Sequence, residues 1–393
     1  MRSSMLCIKD DDGYKKIIFV TDQKIWKNCE RFFPKNFAEN FDKFLLLKDP
    51  QADEKNLKKI AEKVKSCDLI LVLGSGVIND LCKFTSAEKN IPYAIFASAA
   101  SMNGYLSKNA SIAISGHKKT LPATLPIKVF CNLEILKAAP LNLTKAGIGD
   151  SLCFYSCWFD WYLSHKILGT KFDEKPFAML KEKMDFLLKN YQKFSAKDEK
   201  FLQLLLEILL LSGAGMTMAG GSYPASQSEH MIAHTIEMKY PKIVKKLLHG
   251  QMIAVTTLTS SKIQSELLDR HRDTCAVITC GARITSDLSP RLHDRVQKEL
   301  KNFFGKKIAA QCLTEYKEKI SLQKNAKKLD QKTIKELQKI HLSADHLKQI
   351  FSHFKIKTSY TSLGLFSQEY QACISFAKFT RNRFTALDLS SCK

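Results

Sequence analysis

The sequence predicts an α/β protein in which an N-terminal Rossmann-like parallel sheet domain is followed by an all-helical C-terminal domain. Three observations predict it. Over residues 15–131, short apolar runs of strand length alternate with helical stretches, the pattern of a parallel sheet covered by crossover helices. Beyond Pro140 the strand-length runs stop and longer helical periodicities take over. Between the third apolar run and the helix after it stands a small-residue turn, Gly74-Ser75-Gly76, as at a phosphate-binding junction. The 393 residues fit two domains, divided as 1–140 for the α/β part and 141–393 for the helical part.

Taken in order, residues 15–22, 44–47, 69–73, 91–97 and 127–131 read as strands, with a helix over 56–66 among those between them. Asp22 closes the first strand. There a carboxylate takes the ribose hydroxyls of NAD and repels the 2′-phosphate of NADP, or else caps the next helix. Small residues at 74–76 let a backbone approach a pyrophosphate, with free N–H groups and a favourable dipole at the helix start. The fourth strand runs into a loop of small and hydroxyl residues, 98–104, ending in the turn dipeptide Asn103-Gly104, which can wrap a nicotinamide and a polar substrate. Helices are expected near 175–191, 198–212, 226–238 and 249–264, then a polar stretch near 269–287 and a lysine-rich helical tail.

Composition excludes several classes. The start has no apolar core of signal-peptide length, and the longest apolar stretch, 201–211, carries Gln203 and Glu207. A cytoplasmic protein without a membrane span is expected. Twelve cysteines without paired spacing read as free thiols, the pair Cys153 and Cys157 included. The net charge of +22 arises largely from lysines that alternate with Glu, Asp and Gln at helical spacing, which is a solvated face; no nucleic-acid motif accompanies it.

Three of the ten histidines fall between residues 230 and 249. His230 and His234 are spaced i, i+4, which on a helix puts both imidazoles on one face, and a second helix brings His249 from another direction. Convergent imidazoles suit a borderline divalent ion, chiefly zinc, once a carboxylate joins them. Asp150 follows two glycines ahead of an apolar helix. It is the best candidate for that carboxylate, with a helix cap as its plainer role.

The segments 74–80, 98–105, 147–150 with Asp160-Trp161, 224–230, 248–250 and 383–389 together resemble, in order, the iron-containing alcohol dehydrogenase and dehydroquinate synthase superfamily. The resemblance implies an oxidoreductase using NAD or NADP and one divalent metal (zinc, with nickel or iron as alternatives) held by Asp150, His230 and His249, and leaves His234 nearby without ligating. It further implies that Gly74, Ser75, Gly76, Asp80, Ser98 and Ser101 serve the cofactor with Asp22, that Asn103 faces the substrate, and that like chains associate. The substrate implied is a small phosphorylated ketone, with another polyol, ketone or aldehyde as an alternative.

Three positions depart from the family's usual residues: Phe154 stands for Lys, Tyr223 for Arg and Gln251 for Glu. Two of these remove a cation that a phosphate would want, and Lys108 or Lys118 are the replacements nearby in sequence. The same departures permit a non-catalytic relative that acts as a binding protein. A cyclising lyase of the dehydroquinate synthase type is disfavoured by the aspartate at 150 and by the absence of Lys at 154.

Overall fold

The computed structural model describes residues 13–114, 117–270, 290–322 and 326–390, with the side chains of 117, 118 and 290–293 excepted. In chain order the elements are β1 (Ile17–Asp22), α1 (Gln23–Cys29), β2 (Lys43–Leu47), α2 (Glu54–Lys63), β3 (Leu69–Gly74), α3 (Gly76–Lys89), β4 (Tyr93–Ala97), β5 (Asn109–Ile114), β6 (His117–Pro122), β7 (Lys128–Phe130), α4 (Leu133–Ala138) and α5 (Leu141–Ser151). Helices follow: α6 (Phe154–Leu168), α7 (Lys175–Asn190), α8 (Glu199–Ala219), α9 (Ser228–Lys239), α10 (Pro241–Val244), α11 (His249–Arg270), α12 (Pro290–Phe304), α13 (Lys306–Leu322), α14 (Gln331–Ile340), α15 (Ala344–His353), α16 (Ser367–Ala377) and α17 (Ala386–Ser390). The expected class holds: a parallel α/β sheet comes first and helices follow.

The chain forms two compact units. The first comprises residues 1–151 and 179–220, the second 152–178 and 221–393. The border expected after residue 140 falls inside the first unit.

In that unit, five parallel strands lie in the order β2-β1-β3-β4-β7. Strands β1, β3 and β4 are buried along their whole length, which explains their continuous apolar runs. Phe19 in β1 sits among Trp26, Phe33, Phe37, Phe41 and Phe44, and this aromatic cluster seals one face of the sheet. A two-stranded antiparallel ribbon, β5 with β6, stands apart from the sheet. Sequence reasoning missed it, because β5 buries only the alternate residues Ala110 and Ile112, while β6 is polar and lysine-bearing in sequence, so neither strand shows a continuous apolar run.

Helix α8, at 21 residues, is apolar enough to cross a membrane by length and composition. Half of that apolar stretch is covered inside the protein, with Phe201, Leu202, Leu205 and Leu209 buried, as in the core helix expected at 201–211. In the second unit, α6, α9, α11 and α16 share a core of Cys157, Met231, Ile232, Ile236, Ile253 and Cys373. A neighbouring cluster joins Phe159 and Leu163 to Leu267, Leu337 and Phe384. Among the described residues the cysteines are free.

Candidate functional site

In the strand order β2-β1-β3, the chain leaves β1 towards one edge of the sheet and continues from β3 towards the other. Ligands of open α/β sheets bind at such a switch point, outside the carboxyl ends of the strands. Asp22 ends β1 and Gly74 ends β3, so the two stand at the carboxyl ends of neighbouring strands. The two glycines differ in purpose. A Cβ on Gly74 would come within 2.6 Å of Ile78, so glycine is needed there for α3 to fold back tightly, whereas a Cβ on Gly76 would meet nothing within 4 Å. Ser75 precedes α3 without a side-chain cap, leaving the first N–H groups of the helix to another acceptor.

Asp22 takes its plainer role. Its Oδ1 accepts from the N–H groups of Lys24 and Ile25 and caps α1. Asp80 receives the N–H of Ser111 on Oδ2, tying α3 to the ribbon.

The loop 98–107 is held from several sides. The Tyr105 hydroxyl donates to the carbonyl of Ala99 at 2.9 Å, and Thr217 Oγ1 donates to that of Leu106 at 2.7 Å. Ser98 donates its N–H to the Gly74 carbonyl, and both Ser98 and Ser101 are buried. Lys83, fully buried on α3, gives its ammonium to the carbonyls of Gly104, Ser107 and Asn109. Burial presses the Lys83 pKa down to about 8. Two helices then approach without side chains between. A Cβ on Gly147 would stand 2.0 Å from the Ala100 carbonyl oxygen, and one on Gly213 2.5 Å from that of Asn103. Asp150 lies in the last turn of α5, ahead of the apolar helix α6 as expected, but the N-cap of α6 is Cys153. Asp150 is almost wholly buried, and its Oδ2 accepts the N–H of Asn103 at 3.0 Å. Neither Lys83 nor these glycines stood out as supports of the loop in the sequence, since the contacts they make are distant in the chain.

In the second unit, Pro224 opens a short 3-10 turn, Tyr223–Ala225, and extended backbone at Ser226 separates it from α9. The helix therefore begins at Ser228, two residues later than expected. His230 lies in its first turn and His249 opens α11; their ring centroids are 5.1 Å apart. The Nδ1 of His230 pairs with Glu229 Oε1 at 2.8 Å, a contact that orients the ring. Among the described residues His249 Nδ1 is buried without a hydrogen-bond partner; Glu237 Oε1 stands 3.9 Å away. Such an orphaned nitrogen beside a second imidazole fits a metal ligand set. His234 has both nitrogens engaged, Nδ1 with Glu237 Oε2 at 2.8 Å and Nε2 with Arg381 at 3.2 Å. Stacking on one helix face was foreseen; this occupation of His234 was not legible in the spacing.

Glu229 is wholly buried and four groups donate to it: the Gln227 N–H, His230 Nδ1, the Cys157 thiol and the Ser156 hydroxyl. Burial alone would raise its pKa, but hydrogen bonds led by His230 outweigh it and hold the carboxyl below its ordinary range. The thiol of Cys153 lies close to Glu229 and His230, yet the carboxylate of that trio is already filled by these donors. Asp160 joins two helix starts, accepting from the N–H groups of Ser228 and Ala386; burial raises its pKa to about 7.

The three departures have local explanations. Phe154 is buried in an aromatic cluster with Tyr155, Trp158 and Phe177. Gln251 Oε1 accepts the Leu248 N–H and steadies the start of α11. Tyr223 stacks on Trp161 and lies under the guanidinium of Arg383. Lys108 is exposed, and the side chain of Lys118 lies outside the described residues.

Residues 2–140 match the sequence model of the iron-containing alcohol dehydrogenase family. The chain is 28% identical over 255 residues to the glycerol-1-phosphate dehydrogenase (NAD(P)+) of Geobacillus thermodenitrificans, covering 62% of this chain and 63% of that protein. It is 33% identical over 218 residues to that of Thermococcus sibiricus, covering 55% and 61%. The chain thus spans about three fifths of the length of these curated relatives. Among solved structures, maleylacetate reductase from Rhizobium sp. superposes with a TM-score of 0.62 at 12% identity, over 99% of this chain and 92% of that one. A probable glycerol dehydrogenase from Sinorhizobium meliloti gives 0.59 at 15% identity, over 96% and 89%. At these identities the structural likeness speaks for the fold. Residues 2–140 thus match the iron-containing alcohol dehydrogenase family model, about 30% identity links the chain to glycerol-1-phosphate dehydrogenases over part of their length, and the fold is that of the solved structures named.

Proposed function

We propose that the protein is an NAD(P)H-dependent, metal-dependent oxidoreductase that reduces a small phosphorylated ketone, with dihydroxyacetone phosphate to sn-glycerol 1-phosphate as the first choice. The observation that carries this reading is the pair of imidazoles at 230 and 249, 5.1 Å apart, in a chain whose relatives are glycerol-1-phosphate dehydrogenases. In this reading His230, His249 and Asp150 hold one divalent ion, zinc first, with nickel or iron as alternatives. When bound, the ion supplies a Lewis acid for the ketone oxygen and the nicotinamide supplies the hydride.

The chain's own residues prepare the site. Glu229 orients the His230 ring through Nδ1, so that in this reading Nε2 is the atom assigned to the metal. Asp150 fixes the backbone of Asn103, whose side chain is assigned to the substrate's polar groups. Gly74, Ser75 and Gly76 receive the pyrophosphate at the start of α3, while Ser98 and Ser101 line the cofactor loop. Asp22 serves the ribose with the capacity its cap leaves over, and Asp80 acts through the ribbon it ties.

The test is oxidation of NADH and of NADPH by zinc-loaded protein offered dihydroxyacetone phosphate or dihydroxyacetone, followed at the nicotinamide absorbance. Turnover of the phosphate ester that a chelator abolishes is the expected result. Turnover of neither ketone by metal-loaded protein would refute the reading.

A further inference from the structure

Two arginines stand beside His234 and the turn at 222–226. The guanidinium carbon of Arg383 lies 4.4 Å from the centroid of the Tyr223 ring. Its Nη2 donates to Ser222 Oγ at 2.9 Å, and its Nη1 donates to the Ser226 carbonyl. Two residues earlier, Arg381 Nη2 donates to His234 Nε2 at 3.2 Å. The His234 ring is itself 6.1 Å from the rings of both His230 and His249.

Each arginine is half-buried, and among the described residues neither has a carboxylate within ion-pair distance; Glu315, Glu237 and Glu229 act on Arg381 only from further off. The two cations also crowd each other. After burial, the charge of Arg381 is the next cause that presses the Arg383 pKa below its usual range. Keeping like charges together, partly out of water and without a carboxylate partner, is costly. The arrangement becomes favourable when a dianion joins it, since planar guanidinium groups match phosphate oxygens in geometry and charge. Arg383 is committed to the turn at 222–226. Arg381 spends one nitrogen on His234, and its Nε and Nη1 make no hydrogen bond among the described residues.

We propose that Arg381 binds the phosphate of the substrate, with Arg383 adding charge and holding the turn behind it. The assignment rests on the dehydrogenase reading for its substrate, a phosphomonoester whose ketone is presented at the nearby histidines. His234 is then a spacer between the phosphate and carbonyl ends.

Two measurements on the full-length, zinc-loaded protein test this. Steady-state kinetics with dihydroxyacetone phosphate and dihydroxyacetone read the ratio of their KM values. Quenching of tryptophan fluorescence reads inorganic phosphate, since Trp161 stacks on Tyr223. Arg381→Met is expected to raise the KM ratio and weaken phosphate binding, each by about 10–100-fold, the loss of one or two charge-assisted bonds. Arg381→Lys restores part of both by returning the charge without the fork. Arg383→Lys, which keeps the charge but loses the flat stack, should show a smaller loss. Equal phosphate binding by wild type and Arg381→Met, or equal KM increases for both ketones, overturns the site. If the wild type turns over neither ketone, the dehydrogenase reading fails by itself; phosphate binding that Arg381→Met weakens still upholds the anion site, and binding that it leaves unchanged overturns it.

Discussion

At the scale of single residues, the chemistry depends on partners that spacing does not reveal. His230 and His249 were visible as histidines in a suggestive pattern, but the nitrogen each can offer is set by Glu229 and by a bare Nδ1. Replacing Glu229 by Gln leaves the volume unchanged and removes the acceptor charge. Zinc affinity, measured by chelator competition, is expected to fall by about 10–100-fold. A variant that binds zinc like the wild type would show that His230 needs no such support. Lys83 gives a second prediction. Its folded pKa of about 8 lies below that of an exposed lysine, so between these values the unfolded chain binds more protons and this residue makes stability rise with pH. Lys83→Met should therefore flatten the change in urea midpoint between about pH 8 and pH 10; an unchanged slope would contradict a buried, partly deprotonated amine. The sequence showed Lys83 only as one lysine among many, because its burial depends on a loop twenty residues away.

At the scale of elements, legibility followed the hydrophobic pattern. Strands β1, β3 and β4, buried on both faces, announced themselves as apolar runs, and the junction at 74–76 announced the switch point. The ribbon β5–β6 did not, since β5 buries only the alternate residues Ala110 and Ile112 and offers no continuous apolar run. The place of Asp150 inside a helix was hidden for a related reason. Two glycines before it suggested a helix start, yet α5 runs through them, because one lies where the loop carbonyl of Ala100 leaves no room for a side chain. Gly147→Ala would push a Cβ to 2.0 Å from that oxygen, so the helix or the loop must shift. A loss of about 1–3 kcal/mol is expected from denaturant titration, together with weaker substrate binding through displaced Asn103. A stable variant with unchanged KM would mean that the loop yields freely.

At the scale of the whole molecule, the alternation of strands and helices was enough to read the class, but the compact units do not follow the order of the sequence. Residues 179–220 return to the first unit after 152–178 have left it, and no periodicity marks that return. Helix α8 brings Gly213 against the loop that holds Asn103, and Thr217 bonds that loop's Leu106 carbonyl. Residues 1–140 expressed alone lack α5 and α8 together, and hydrogen exchange on such a fragment should find the amides around 98–107 fast, where the full chain protects them. Slow exchange there would show that the sheet suffices. If the amides are fast, the part of the chain that carries the family's recognisable sequence is not a part that can be inherited by itself. Shuffling this N-terminal stretch onto another helical partner would transfer its glycines and lose the loop they serve, so recombination within the family is expected to succeed only where the helix bearing Gly213 travels with it.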